Sequence, residues 1–128
     1  MNDSLVIIPT YNERENVVRM LETVMDLEFP FDVLVVDDGS PDGTAALVKE
    51  CQVAQPNRIH LLERVGKLGL GTAYIAGFRW ALERGYDFIF EMDCDFSHDP
   101  HDLVRLRIPC AEGGAGMSVG SRYVKGGG

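Results

Sequence analysis

Short apolar runs alternate with longer stretches in which apolar residues recur at helical spacing, and this alternation predicts strands and helices in turn. Strands are predicted at residues 4–8, 32–36, 59–62, 87–92 and 116–120. Helices are predicted at residues 12–27, 44–53, 71–84 and 99–107. A strand followed by a helix, repeated along the chain, predicts an α/β fold with a mostly parallel, Rossmann-like sheet and right-handed crossovers.

Polar and turn-forming residues follow four of the predicted strands. They are residues 9–11, 37–40, 93–95 and 120–122. In parallel α/β sheets, ligands bind beyond the carboxyl ends of the strands. We therefore expect the functional site at this edge of the sheet.

The composition is that of one globular domain. Of the 128 residues, 45% are hydrophobic and 25% are charged, which excludes disorder as the default state. Lys and Arg total 12 against 20 Asp and Glu, for a net charge of −8. This acidic balance is unfavourable for binding nucleic acid or an anionic membrane surface, and it suits a protein that holds a metal ion.

Three separated cysteines, Cys51, Cys94 and Cys110, favour neither a disulfide framework nor a zinc site. A reduced, cytoplasmic compartment is the simplest interpretation. The N-terminal apolar run is too short for a signal peptide, and no stretch approaches the roughly 20 apolar residues of a membrane span. The chain ends in three glycines after the fifth predicted strand, so we expect residues 1–128 to be the first part of a longer domain.

Asp93 and Asp95 are separated by one residue at the end of the fourth predicted strand. Two such carboxylates can reach one ion if the chain turns there, and hard cations such as Mg²⁺ and Mn²⁺ take oxygen ligands. The alternative is a solvated turn, but placement at the ligand edge favours the metal. Cys94 between them is interpreted as a packing residue. His98 and His101 have the spacing of a metal pair, but Pro100 favours a helix start instead.

Asp37 and Asp38 are adjacent carboxylates that repel each other, so the pair gains from a nearby donor or cation. A carboxylate accepting hydrogen bonds from a nucleobase edge would serve. The residues that follow are interpreted as a tight turn with a helix cap from Asp42 or Thr44. Arg64 and Lys67 either face phosphates or are solvated. Arg122, at the same edge, is suited to phosphate through its guanidinium fork or is an ordinary surface arginine.

Four segments together resemble the GT-A fold, family 2 glycosyltransferases, and within them the dolichol-phosphate mannose synthases. They read VIIPTYNEREN at residues 6–16, VVDDGSPDGT at 35–44, DCDFSHDP at 93–100 and GSRYVKGG at 120–127. The segments occur in the expected order from Leu5 to Gly127. Each motif alone is moderately specific, and four in order are strongly so.

The resemblance implies a role for each matching residue. The base and ribose pocket is lined by Pro9, Tyr11 and Glu13, and the nucleobase is held by Val36 and Asp38. Asp93 and Cys94 contact the ribose and diphosphate. Asp95 is the principal metal ligand, with Asp93 nearby, and the metal is Mg²⁺ or Mn²⁺. Ser97 contacts donor or metal, and Arg122 binds phosphate at the reaction centre.

The implied reaction is inverting transfer of mannose from GDP-mannose to a polyprenyl or dolichyl phosphate. The sequence departs from the family where Cys94 replaces the usual Ala and Ser97 replaces a frequent Gln, which shortens the reach to a metal. A Ser-His-x-Pro segment favours GDP-mannose over a UDP-sugar, which is the alternative donor. A signalling receiver domain would need its acidic pair after the first strand, where this chain has Pro9. A nucleotide-binding chain without turnover is the other alternative.

The resemblance also implies a location and a limit. The longer protein is expected to be peripheral at the cytoplasmic face of the membrane that holds its lipid acceptor. Family members continue beyond the equivalent of Gly127 into the part that contacts the acceptor. We therefore expect this chain to be the nucleotide-sugar-binding part of the catalytic domain and to be inactive in transfer by itself.

Overall fold

The predicted α/β fold is confirmed. The computed structural model describes residues 4–27, 30–64, 70–94, 103 and 122–125, and only the backbone of 70, 71 and 122–125. In chain order the elements are β1 (Ser4–Thr10), α1 (Val17–Met25), β2 (Asp32–Asp37), α2 (Thr44–Ala54), β3 (Ile59–Glu63), α3 (Leu70–Glu83), β4 (Phe88–Glu91) and β5 (Arg122–Lys125).

The strands form one sheet in the order β3-β2-β1-β4-β5. β1 to β4 are parallel, and β5 runs antiparallel to β4. β2 and β3 lie on one side of β1, and the chain then crosses back so that β4 lies on the other side of β1. A crevice therefore opens between the carboxyl ends of β1 and β4, where sheets of this kind bind ligands.

The two faces of the sheet carry separate apolar clusters because successive side chains in a strand point to opposite faces. Val6 and Ile8 pack with the buried face of α1. Leu5 and Ile7 pack with the buried face of α3. Each of these four strand residues is 0% exposed, and full burial of such a side chain stabilises the fold by roughly 1.5–3 kcal/mol.

α3 lies unusually close to β1 at Gly77. A Cβ atom at this position would lie 2.7 Å from Cγ2 of Ile7, closer than side chains tolerate. The absence of a side chain at Gly77 therefore lets the helix backbone rest directly on the sheet. This contact fixes the height of α3 above the strands.

The amino edge of the sheet, opposite the crevice, holds a polar and aromatic cluster. The hydroxyl of Tyr86 donates a 2.6 Å hydrogen bond to Oδ2 of the fully buried Asp32. Burial is the main cause that raises the pKa of Tyr86. The ring of Trp80 lies 5.0 Å from that of His60, and the Arg84 guanidinium lies 3.8 Å from the centroid of Trp80. This cluster closes the base of the sheet.

β1 was predicted to stop at Pro9, but it continues to Thr10. The carbonyl of Ile7 accepts from the amide of Met92, on the β4 side, and that of Thr10 accepts from Asp38, on the β2 side. By the alternation of a strand, Pro9 faces the β4 side, beyond the end of β4. The N–H that proline lacks is thus not needed for the sheet, and the strand passes through it.

α1 begins at Val17, five residues after its predicted start, because the residues before it are held in a loop. The predicted strand at 116–120 and all but one residue of the predicted helix at 99–107 lie outside the described residues; Leu103 is helical and buried. The last strand described is instead β5, which starts at Arg122 and opposes Glu91 of β4. β5 ends at Lys125, directly before the three glycines that were predicted to be flexible.

Candidate functional site

Asp37 ends β2 in a buried position and is surrounded by donors. Its Oδ1 accepts hydrogen bonds from the hydroxyls of Thr10, at 2.8 Å, and Ser40, at 2.6 Å. Its Oδ2 accepts from the amide of Ser40 at 3.0 Å. These donors confirm the expectation that the acidic pair needs partners, and they satisfy Asp37 entirely within the protein.

The loop between β1 and α1 is tied to the loop between β2 and α2. The amide of Asn12 donates to Oγ of Ser40 at 2.8 Å, and the amide of Glu13 donates to Oγ1 of Thr44 at 3.1 Å. Asn12 has a φ of 56°, a left-handed conformation that asparagine tolerates better than most residues. The tie holds Tyr11 at the rim of the crevice, where it is 36% exposed.

A helix cap was predicted from Asp42 or Thr44, but the N-cap of α2 is Gly43, which lies directly after Asp42 and has no side-chain cap hydrogen bond. The side chain of Asp42 instead bonds to backbone amides. Its Oδ1 accepts from the amide of Thr44, the first residue of α2, at 3.0 Å. Its Oδ2 also accepts from the amide of Arg14 at 3.1 Å, so the side chain joins the two loops. The hydroxyl of Thr44 is the main cause that holds the pKa of Asp42 below its ordinary value.

Asp38, the expected nucleobase contact, forms an ion pair with Arg64. The Nε atom of Arg64 lies 2.7 Å from Oδ1 of Asp38, and the two side chains are only 12% and 7% exposed. A second guanidinium nitrogen donates to the hydroxyl of Thr72 at 3.2 Å. Arg64 is therefore not a solvated side chain. Arg64 is the nearby cation that would favour the two adjacent carboxylates.

Asp93, the first residue of the predicted metal pair, lies just beyond β4 and is partly exposed. The hydroxyl of Tyr74 on α3 donates to its Oδ1 at 2.9 Å. Sequence reasoning missed both Tyr74 and Thr72 as site residues. The sequence marks them as site residues only by their position, because both are polar residues in the first turns of the helix that follows β3.

The remaining predicted site residues occupy varied positions. Pro9 and Val36 are buried in neighbouring strands and are register partners. Glu13 accepts a 3.1 Å hydrogen bond from the side-chain amide of Asn16. Cys94 is 2% exposed within the apolar core, as expected of a packing residue. The backbone of Arg122 opposes Glu91, which is two residues before Asp93. Because β5 is antiparallel to β4, the start of β5 lies at the carboxyl end of β4, and Arg122 is therefore at the expected edge of the sheet.

Asp95, Ser97, His98 and His101 lie outside the described residues. Within the described part of the chain, no group of three or more His, Cys, Asp or Glu side chains is arranged to hold a metal ion. Of the predicted metal pair, the structure thus places Asp93 alone. Its carboxylate, at the crevice edge, has the oxygen donors that Mg²⁺ and Mn²⁺ prefer.

The same elements and motifs characterise a known family. The profile of Glycosyl transferase family 2 matches residues 5–128. The chain belongs to this family. The glycosyltransferase family 2 match includes all the helices and strands described above apart from the first residue of β1, and it confirms the resemblance seen in the four sequence segments.

Two bacterial relatives share about half of their aligned residues with this glycosyltransferase family 2 chain. The polyprenol monophosphomannose synthase of Mycolicibacterium smegmatis is 52% identical over 97% of this chain and 46% of its own length. The undecaprenyl-phosphate mannosyltransferase of Micrococcus luteus is 51% identical over 96% of this chain and 49% of its own length. The dolichol-phosphate mannosyltransferase of Pyrococcus furiosus is 37% identical over 95% and 34%. The chain thus spans about half the length, or less, of these family members.

Solved structures confirm the GT-A architecture of this family 2 chain. A mannosyltransferase from Pyrobaculum calidifontis, in complex with GDP-Man and Mn²⁺, superposes with a TM-score of 0.76 at 25% identity. The match covers 89% of this chain and 34% of that one. TarS from S. aureus superposes with a TM-score of 0.73 at 21% identity, and shows the shared fold alone. In the described part of the chain, no helix has the length and apolar character needed to cross a membrane.

Proposed function

We propose that this chain binds the nucleotide-sugar donor of a mannosyltransferase that uses GDP-mannose and a polyprenyl or dolichyl phosphate. The observation that carries the proposal is the 52% identity to a polyprenol monophosphomannose synthase across 97% of the chain. The gathering of Tyr11, Asp38 and Asp93 at the carboxyl edge of one sheet is consistent with it.

The nucleobase subsite is assigned to Tyr11 and Asp38, with Pro9, Glu13 and Val36 around it. Asp38 already gives one oxygen to Arg64, and its other oxygen can accept an N–H from the edge of the base. Guanine offers both a ring N–H and an amino group on that edge. The Tyr11 ring is exposed at the rim, where an aromatic face can stack on a base.

The diphosphate subsite is assigned to Asp93, Cys94, Asp95 and Ser97. Asp93 and Asp95 are the residues that would hold Mg²⁺ or Mn²⁺, and the complex of the Pyrobaculum relative with Mn²⁺ supports a divalent cation. When bound, the cation would neutralise charge on the departing diphosphate. The buried side chain of Cys94 leaves its backbone as the group available to the donor.

In the proposed reaction, a phosphate oxygen of the acceptor bonds to the anomeric carbon, and the bond from that carbon to GDP breaks. Inversion follows from attack opposite the leaving group. A phosphate monoester has a second pKa of about 6, so the acceptor is largely ionised at neutral pH and needs no general base. Arg122 would bind the acceptor phosphate, and positioning would supply most of the rate.

The lipid acceptor implies that the whole protein works at a membrane, on the cytoplasmic face where nucleotide sugars are made. The chain has a net charge of −8 and is therefore not itself suited to binding an anionic membrane surface. We therefore assign membrane contact to the lipid acceptor or to sequence present in the longer relatives. Residues 1–128 are proposed as one part of a single catalytic domain, inactive in transfer alone.

Binding calorimetry tests the proposal with the chain as it stands. GDP, GDP-mannose and UDP are titrated with and without Mn²⁺. We expect GDP and GDP-mannose to bind more tightly with Mn²⁺, and UDP to bind more weakly than GDP. Preference for UDP would favour a UDP-sugar-dependent family member. No binding of any nucleotide would refute the assignment of the donor site.

A further inference from the structure

Tyr74 reaches from α3 to the first predicted metal ligand. Its hydroxyl donates a 2.9 Å hydrogen bond to Oδ1 of Asp93, nineteen residues further along the chain. The ring is half-buried against the apolar cluster that α3 forms with the sheet. Tyr74 therefore approaches Asp93 from a packed helix, whereas Asp93 itself lies just outside its strand.

The helix that carries Tyr74 packs closely on the sheet. Gly77, one turn later, rests against Ile7 so closely that a Cβ would lie 2.7 Å from the Ile7 side chain. Ala73 and Ala81 on the same helix are 1% and 0% exposed. The position of the Tyr74 hydroxyl is thus set by the height of α3 above β1.

We propose that Tyr74 is a positioning residue for Asp93, an inference that rests on the proposed donor and metal function of that carboxylate. A carboxylate in an outer loop rotates about its last torsion, and either oxygen can then face a ligand. The bond from Tyr74 fixes which oxygen is occupied by the protein and which faces the crevice. Because the donor is neutral, Asp93 keeps the negative charge that attracts a cation.

The first turns of α3 also reach the nucleobase side of the crevice. Thr72 accepts a hydrogen bond from Arg64, and Arg64 is paired with Asp38. One helix therefore supports both acidic positions, Asp38 through Thr72 and Arg64, and Asp93 through Tyr74. The two supports are separate hydrogen bonds, so removing the Tyr74 hydroxyl should affect the metal side and spare the base side.

Tyr74→Phe tests the proposal, and Tyr86→Phe is its matched control. Both changes remove one tyrosine hydroxyl that donates to an aspartate, but Tyr86 bonds to Asp32 at the opposite edge of the sheet. Calorimetry measures the affinity of each variant for GDP with Mn²⁺, GDP without metal, and guanosine. Outer partners of metal ligands typically change metal affinity 10- to 100-fold. We expect Tyr74→Phe to reduce the gain in GDP affinity from Mn²⁺ by about tenfold or more.

Guanosine affinity should be unchanged in Tyr74→Phe, and Tyr86→Phe should retain the full effect of Mn²⁺. An unchanged effect of Mn²⁺ in Tyr74→Phe would overturn the inference while leaving the proposed function intact. An equal loss in both tyrosine variants would also overturn it, because a general structural effect would then explain the result. Absence of any effect of Mn²⁺ on the unaltered chain would overturn the proposed function and the inference together.

A double variant keeps the test decisive even if Tyr74→Phe weakens the fold. If Tyr74 acts through Asp93, the change Tyr74→Phe should have no further effect on GDP binding in a chain that already carries Asp93→Ala. A thermal melting curve is recorded for each variant, so that a loss of binding can be distinguished from a loss of folded protein. Additive losses in the double variant would show that Tyr74 acts by another route and would refute the positioning role.

Discussion

The Nε atom of Arg64 lies 2.7 Å from Oδ1 of Asp38, and this ion pair joins the segment after β3 to the segment after β2. The amide of Arg64 also donates to the carbonyl of Asp37 at 2.7 Å, so backbone and side chain hold the same junction. One carboxylate oxygen of Asp38 is consequently already bonded within the protein. The pair orients the carboxylate that we assign to the base.

We expect Arg64→Gln to weaken guanosine binding about tenfold or more. The change leaves a largely buried carboxylate without its charged donor, and charge-assisted hydrogen bonds contribute roughly 1.5–3 kcal/mol. Calorimetry with guanosine and GDP provides the measurement, and Arg79→Gln, at an exposed arginine of α3, is the control. Loss of GDP affinity with normal guanosine affinity would instead indicate that Arg64 binds phosphate.

We expect Asp38→Asn to reduce GDP affinity more than Asp42→Asn does. Asp38 faces the base in our proposal, whereas Asp42 bonds to the backbone of Thr44 and Arg14. The first change removes a charge-assisted bond to the ligand, for a loss of roughly tenfold. The second should mainly alter the loop that carries Tyr11. Equal GDP binding by the unaltered chain and both variants would contradict the base subsite.

Asp95→Ala should abolish the dependence of donor binding on Mn²⁺ and leave the fold intact. A carboxylate beyond the end of a strand contributes little to stability, but the predicted metal pair needs it. The control is Asp87→Ala, because Asp87 is exposed at the other end of β4. Titration of GDP with Mn²⁺, together with far-ultraviolet circular dichroism, separates binding from folding. Retention of the Mn²⁺ effect in Asp95→Ala would rule out this metal ligand.

His60 should make the fold less stable below neutral pH. Burial lowers the pKa of His60 from its ordinary value of 6.5, although the charge of Asp32 opposes this shift. Its Nε2 atom is buried and has no hydrogen-bond partner in the described part of the chain. Below pH 6.5 the unfolded chain therefore binds a proton that the folded chain resists, so the free energy of unfolding falls as the pH falls towards the lowered pKa.

Urea denaturation followed by the fluorescence of Trp80, whose ring is 5.0 Å from that of His60, measures this effect. Between pH 7.5 and 5.5, His60→Leu should show a shallower loss of stability than the unaltered chain. Carboxylates contribute equally to both chains over this range and cancel in the comparison. Parallel pH profiles for the two chains would show that His60 does not contribute.

The sequence predicted the strands and helices well where apolar periodicity was strong, but it could not predict features set by partners in space. Pro9 resembles a strand end until the missing N–H is seen to face a side where β4 has already ended. The direction of β5 is equally hidden, because a four-residue strand has the same pattern whether it runs parallel or antiparallel. The late start of α1 follows from bonds to Ser40, in the loop after β2, and to Thr44, at the start of α2.

The candidate site divides in the same way. Asp37, Asp38 and Asp93 were predicted from their positions after strands, because topology alone brings such residues to one edge. Their partners were not predicted, since Arg64 reaches Asp38 through the pairing of β3 with β2, and Tyr74 reaches Asp93 through the packing of α3 on the sheet. The roles assigned to Asp95, Ser97 and Arg122 remain predictions, and the variant Asp95→Ala tests the first of them.

Pro9 gives the crevice one wall that cannot donate a backbone proton. An ordinary residue there would direct an amide towards the gap beyond β4, where no strand accepts it and where solvent or a ligand oxygen would compete for it. Because proline has no backbone N–H, the main chain at this point can donate neither to another strand nor to an anion. On the β1 side of the gap, any hydrogen-bond donor for a ligand at this point must therefore come from a side chain.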